Sequence, residues 1–358
     1  MKLIAPSVLL AFISSCGGLV ASGDGGVDGG VVDSTAGSDG GRDAGADVQT
    51  DGSGDTGLDV HADTSTLTTL AVAQGSPFDI AVDPTNVYWT NADGDVMKCP
   101  IGGCGLKPTF LATQQGPIGI AVDLINVYWV SNVSGNAGGG SVVQCALAGC
   151  GGTPSPVASS LDQPNFVATD GTNVYWTDFS AKTVAQCPVG GCVGSPTLLA
   201  SAQGGPLGVA VDSANVYWVD FSGNNVMKCA IGGCGDTPAT LASGQSAPSR
   251  IAVDSMNVYW TNSGTGTVMK CAVGGCGGVP TVVASSQNGP YGIATDGISV
   301  YWTNQGASTV MKCATGGCGG LPTTMASSQN APLGIAVDGT SLYWVSFTNR
   351  NVMKLTPK

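Results

Sequence analysis

Glutamate is missing altogether: the 24 acidic residues of this 358-residue chain are all aspartate, and its single histidine, His61, stands outside the part that looks foldable. Glu and His supply most general bases and many metal ligands, so catalysis in residues 65 to 358 would have to rely on Asp, Lys, Tyr and hydroxyl groups. Positive charge is scarce too. Twelve Lys and Arg, nowhere clustered, exclude a nucleic-acid binder, which must replace the counterions on phosphate. Good helix formers are few, while Gly, Val and Thr abound, so the bulk of the chain is expected as strands and turns. No run of apolar residues is long enough for a spanning helix.

The longest such run, from Leu3 to Ile13, follows Met1-Lys2 and precedes Ser14-Ser15-Cys16. One positive charge, a short apolar stretch and small residues make a secretory signal covering residues 1 to 15. Residues 17 to 64 contain ten Asp against one Arg and no Phe, Tyr or Trp. With too little apolar surface to offset the entropy of ordering, residues 16 to 64 are expected to be a disordered, charge-swollen tether. Asp-Gly clusters such as 51 to 55 lack the ligand spacing of an EF-hand loop.

From residue 65 a repeat takes over. Tyr-Trp recurs at 88, 128, 175, 217, 259, 301 and 343 and accounts for every tryptophan, at spacings of 40, 47, 42, 42, 42 and 42. An Asp lies five residues before each Tyr. The fifth unit is clear: Pro248 to Asp254, Asn257 to Asn262, Thr267 to Cys271 and Pro280 to Ser285 are four short β-rich runs separated by turn residues. Four strands in about 42 residues is the period of a propeller blade.

Counting the ends predicts how the ring closes. The seventh unit stops at Val352-Met353-Lys354-Leu355 with no fourth strand, while residues 65 to 73 form an outermost strand with no blade before it. The N-terminal strand is therefore expected to complete the last blade, giving an all-β, seven-bladed β-propeller of four-stranded blades over residues 65 to 358. Six Cys-x4-Cys pairs, Cys99/Cys104, Cys145/Cys150, Cys187/Cys192, Cys229/Cys234, Cys271/Cys276 and Cys313/Cys318, fall where the third and fourth strands are continuous. A secreted chain and a tight turn suit a disulfide across each hairpin. Cys16 is left unpaired. No metal site is expected, because the blades hold the pairs far apart and no His is near.

Tyr-Trp-Thr at 88, 175, 259 and 301, with Tyr175-Trp176-Thr177-Asp178 the fullest match, resembles the YWTD propeller repeat of low-density-lipoprotein receptors. The Gly-Ile-Ala-Val-Asp runs at 119 to 123 and 334 to 338 are similar to the NHL-type repeat. Both families are usually six-bladed, and this chain counts seven. The Ile13-Ser14-Ser15-Cys16 ending resembles the lipobox of bacterial lipoproteins, which implies cleavage before Cys16 and a diacylglycerated thiol holding the protein on a membrane. Gly17-Gly18 in place of an Asp favours, by the same resemblance, the outer membrane, on its periplasmic side or at the cell surface. The whole layout is similar to surface lipoproteins of myxobacteria and their relatives. Such propellers usually bind proteins or glycans, and some host enzymes.

Features present in every blade are expected to be structural: Val-Tyr-Trp as core, and the seven aspartates as Asx-turns. Differences between blades point to function. The position before the Ile or Val of the first strand is Gly in four blades but Asp79, Phe166 and Arg250 in three. One position earlier stand Phe78 and Tyr291, and the loops from strand two to strand three add Phe179, Phe221, Phe347 and Arg350. Aromatic residues with Arg on loops around a channel mouth are typical binding anchors. The expectation is a monomeric, non-catalytic envelope or cell-surface lipoprotein that binds a protein or carbohydrate through these nine residues, without a cofactor. The alternatives are a propeller-based hydrolase or lyase using Asp or a metal at the central channel, and a structural envelope protein without a dedicated ligand.

Overall fold

The computed structural model describes residues 65–133 and 137–358. The signal, Cys16 and the tether lie outside the described residues. Seven four-stranded antiparallel sheets follow one another. In the first blade the strands are Pro77–Val82, Asn86–Asn91, Asp95–Pro100 and Thr109–Thr113, paired in chain order. The innermost strands of successive blades pack against each other around the ring, and Pro77–Val82 also packs against Pro332–Val337 of the seventh blade. The expected closure is present: Thr66–Ala71 pairs antiparallel with Asn351–Thr356, Thr66 opposite Thr356 and Ala71 opposite Val352. No exposed sheet edge is left at the junction of first and last units.

Each blade folds for reasons that repeat. Val87, Tyr88 and Trp89 are wholly buried, and the same holds for their equivalents to within a percent of exposure. Alternation along the strand sends Tyr to one face and Trp to the other, so each sheet buries an aromatic ring on both sides. Most of the polar tips are satisfied, but the buried Trp129 Nε1 has no hydrogen-bond partner among the described residues. Trp89 Nε1 donates to Gln74 Oε1 at 3.0 Å, and Trp218, Trp260, Trp302 and Trp344 repeat the bond with Gln203, Gln245, Gln287 and Gln329. Every tyrosine of the Tyr-Trp pairs donates its hydroxyl to the aspartate five residues earlier, as Tyr217 does to Asp212 Oδ2 at 2.8 Å. The other carboxylate oxygen takes two turn amides, from Ala214 and Asn215 in that blade. This is the expected Asx-turn, with a phenol added. Burial first, then the neighbouring carboxylate, raises these phenols above their ordinary value, Tyr301 to about 12.

Neighbouring blades are tied by side chains the repeat supplies. The Thr after Tyr-Trp donates to a carbonyl of the next blade: Thr90 to Ile118, Thr177 to Leu207, Thr261 to Tyr291 and Thr303 to Leu333, at 2.6 to 2.8 Å. Lysines of the third strands do the same at the opposite face, and Lys354 Nζ reaches Ile101 O at 2.7 Å across the junction of blades seven and one.

All six expected disulfides form, Cys99–Cys104, Cys145–Cys150, Cys187–Cys192, Cys229–Cys234, Cys271–Cys276 and Cys313–Cys318, with Cα separations of 5.1 to 5.5 Å. Their placement corrects one detail of the expected staple across two strands. The first cysteine of each pair is buried in the third strand, but Cys104, Cys150, Cys192, Cys234, Cys276 and Cys318 are half-buried in the turn, outside any strand. Each bridge therefore fastens the turn back onto the strand it leaves, and does not join the third strand to the fourth. The reason is reach: in the first blade the cysteines are 5 positions apart, while the fourth strand begins only at Thr109. The turn cysteines also rest on the outermost strand of the preceding blade, with Cys104 Sγ 3.5 Å from Leu70 O and Cys234 Sγ 3.4 Å from Leu199 O.

Candidate functional site at the channel

Proline opens the innermost strand of all seven blades, and the pairing with the second strand slips just after it, as between Pro77 and Asp79. Pro has no amide to donate, so it suits the first residue of a strand, and the irregularity that follows turns the next side chains toward the axis. Phe78, Asp79, Phe166, Arg250 and Tyr291 therefore lie within innermost strands, not on the solvated loops the sequence suggested. All are buried or half-buried.

The three residues that replace glycine meet in the middle of the ring. Arg250 Nη1 bonds Asp79 Oδ2 at 3.1 Å, with the two side chains only 11% and 10% exposed. Asp79 Oδ2 also accepts the Ile120 amide of the next blade at 3.3 Å. The guanidinium carbon lies 3.6 Å from the centre of the Phe166 ring and 4.9 and 5.9 Å from those of Tyr291 and Phe78. Phe78 and Tyr291 meet edge to face at 6.2 Å. Burial works against a charged Arg250, but Asp79 and the Tyr291 hydroxyl more than offset it and raise the guanidinium pKa. Nε and Nη2 are buried and make no hydrogen bond with the described residues.

Glycines make room for this group. A Cβ on Gly208 would lie 2.9 Å from Arg250 Cα, one on Gly119 2.7 Å from Phe166 Cα, and one on Gly334 2.8 Å from Asp79 Cα. Large and absent side chains thus alternate around the inner ring. The Thr after Tyr-Trp accepts the amide of Asp79, Phe166 and Arg250 at 3.3 Å, but Thr303 does the same for Gly292, so that threonine does not single out the three positions.

Phe179, Phe221 and Phe347 are half-buried and pack against the same core cluster that contains Phe78 and Phe166. Their amides bond carbonyls of the loop entering the same blade, Gln163, Gly205 and Ala331. Arg350 is exposed in the turn just before the strand Asn351–Thr356 and is not brought to the central group.

Two cavities lie along the axis. One of 140 Å³ is walled by Asp79, Arg250, Phe166 and the Ile and Val side chains just below them. The other, 460 Å³, is at the opposite mouth between the first turns of blades one to three, bordered by Pro84, Leu124 and Ile125. Its carboxylates, Asp83, Asp123 and Asp170, are each engaged by two amides and a phenol. Among the described residues no cluster of three or more His, Cys or acidic side chains is placed to hold a metal ion.

No family model matches the sequence, and no curated protein matches it significantly. Solved structures do. A streptogramin B lyase is 11% identical, with a TM-score of 0.67 over 82% of this chain and 98% of its own. A virginiamycin B lyase from Staphylococcus aureus is 15% identical, with a TM-score of 0.67 over 82% of this chain and 100% of its own. A chain of a nidogen and laminin complex is 20% identical, with a TM-score of 0.50 over 62% and 87%. These likenesses correct the expectation that the protein is not an enzyme: two propellers superposing over nearly their whole length are lyases, so the architecture is one that can carry catalysis. At these identities they establish the architecture, and the chain is a β-propeller repeat protein.

Proposed function

We propose that the mouth of the channel lined by Phe78, Phe166, Arg250 and Tyr291 is a ligand-binding site, and that the protein works outside the cytoplasm on a lipid anchor at Cys16. The ligand is a protein or a carbohydrate, and the protein binds it as a monomer. One observation carries the reading: three side chains that break the glycine pattern, from blades one, three and five, converge on one buried guanidinium stacked on an aromatic ring. The three departures from the glycine consensus, each with a glycine kept beside it, make one local group and not a repeated feature. Buried Arg and aromatic residues in a concave site are the usual anchors of recognition.

The lyases make turnover at the same mouth a second reading. Residues 65 to 358 have no histidine, so a proton in such a reaction would move through Asp79 or Tyr291. A glycan array and pull-down with the full chain tests the binding reading. Arg250→Lys and Phe166→Leu are expected to weaken any captured ligand at least about tenfold, some 1.4 kcal/mol. Unchanged binding by both folded variants would place the site elsewhere. Labelling with a fatty acid, abolished in Cys16→Ala, tests the anchor.

A further inference from the structure

We infer that the group taken by Arg250 is the carboxylate of a ligand. The inference rests on the mouth being a ligand site and names the chemistry it selects. A guanidinium offers a carboxylate two parallel N–H bonds, and the edge formed by Nε and Nη2 is one such fork. Asp79 does not use that edge. Its single contact is to Nη1, and its Oδ2 is shared with the Ile120 amide. The unused edge is buried and makes no hydrogen bond within the described residues. Leaving charged donors in that condition is unfavourable, and an ionised acceptor is the partner that best relieves it.

The surroundings set how the ligand approaches. Phe166 covers one face of the guanidinium at 3.6 Å, so a ligand approaches edge-on. Apart from Asp79 and Arg250, the 140 Å³ cavity is walled by Ile80, Ile120, Val167, Val209 and Ile251 with Phe166 and Gly208. Two carboxylates, Asp79 and the ligand's, would then bind different edges of one cation.

The chain has only three arginines, Arg42, Arg250 and Arg350, so its side-chain Nε–H resonances are three. Titrating the full-length, isotope-labelled protein with butyrate and with its neutral counterpart butyramide, at matched ionic strength with chloride, tests the inference. Butyrate is expected to move the Arg250 resonance saturably, at a concentration at least about tenfold below any effect of butyramide, leaving Arg42 and Arg350 in place. The resonance is assigned by its loss in Arg250→Lys or, if that variant does not fold, by its contact with the Phe166 ring. Equal response to the amide, equal movement of all three arginines, or no movement overturns the carboxylate assignment. Such a result leaves the binding site standing if Arg250→Lys and Phe166→Leu still weaken a captured ligand; if they do not, that broader reading fails on its own test.

Discussion

Removing Asp79 probes the centre of the ring most directly. With both side chains about nine-tenths buried and 3.1 Å apart, Asp79→Ala strands a guanidinium between three aromatic rings with no acceptor on any of its nitrogens except what Tyr291 provides. Breaking a buried pair from one side costs about 3 to 5 kcal/mol, because the remaining charge stays desolvated. Arg250→Met is expected to cost about the same, leaving Asp79 with only the Ile120 amide. The double variant removes both charges and keeps the volume near the axis. It is expected to recover much of the loss, a coupling of at least about 2 kcal/mol between positions 171 residues apart in sequence. Equilibrium unfolding in urea, followed by the fluorescence of the seven buried tryptophans, measures all three variants against the parent. Single losses below about 1 kcal/mol that simply add would refute the reasoning, since they describe a pair already bathed in solvent.

Three further outcomes are expected. Gly208→Ala pushes a methyl to 2.9 Å from the Arg250 backbone and should cost about 1 to 3 kcal/mol, whereas Gly102→Ala, with open space around it, should stay within about 0.5 kcal/mol; thermal unfolding compares them. Replacing both Cys271 and Cys276 by Ser opens a loop closed over a separation of 5 residues and should lower stability by about 2 kcal/mol, read in urea without reductant. In acid, the Asp296 carboxylate matters: burial pushes it up, but Lys358 at 2.6 Å, the Ser299 and Ile298 amides and the Tyr301 hydroxyl outweigh that and hold it at about 2. Since the unfolded value is about 3.9, the native state binds fewer protons, so this stabilisation is full above that pH and is lost as pH falls toward 2. Lys358→Ala should therefore raise the midpoint of acid unfolding, and an unchanged midpoint would mean the contact is idle.

Much of the fold was legible because each blade must solve the same problem with the same residues. Tyr-Trp at a fixed interval marks the second strand, the aspartate before it marks a turn, and a missing seventh cysteine pair marks the split blade. These are local regularities, and repetition makes them visible. The cysteine spacing showed which residues pair, but not that Cys104 and its equivalents stop in the turn, because where a fourth strand begins depends on its partner strand. The candidate site was legible only as a set of exceptions. Asp79, Phe166 and Arg250 could be seen to replace glycine, but that they pair and stack across the axis depends on the closed ring, which brings blades one, three and five together. Their placement on loops was wrong for a related reason: the irregularity after each proline keeps them in the strand while turning them inward. The lysines of the third strands went unread, because a single cation on a strand looks like a solvated face until the next blade's carbonyl is seen 2.5 to 2.7 Å away.

The last blade has a consequence for the order of events in the life of the protein. Thr66 finds its partner in Thr356, so the first strand synthesised waits for almost the last. Until residues 351 to 356 emerge, the opening strand has nothing to pair with and the seventh sheet is only the hairpin of Pro332–Val337 and Leu342–Ser346. Closure thereby acts as a check on completeness: a chain cut short by a handful of residues keeps six intact blades, yet leaves its first strand unpaired and its last hairpin with a bare edge for a protease or another chain to seize.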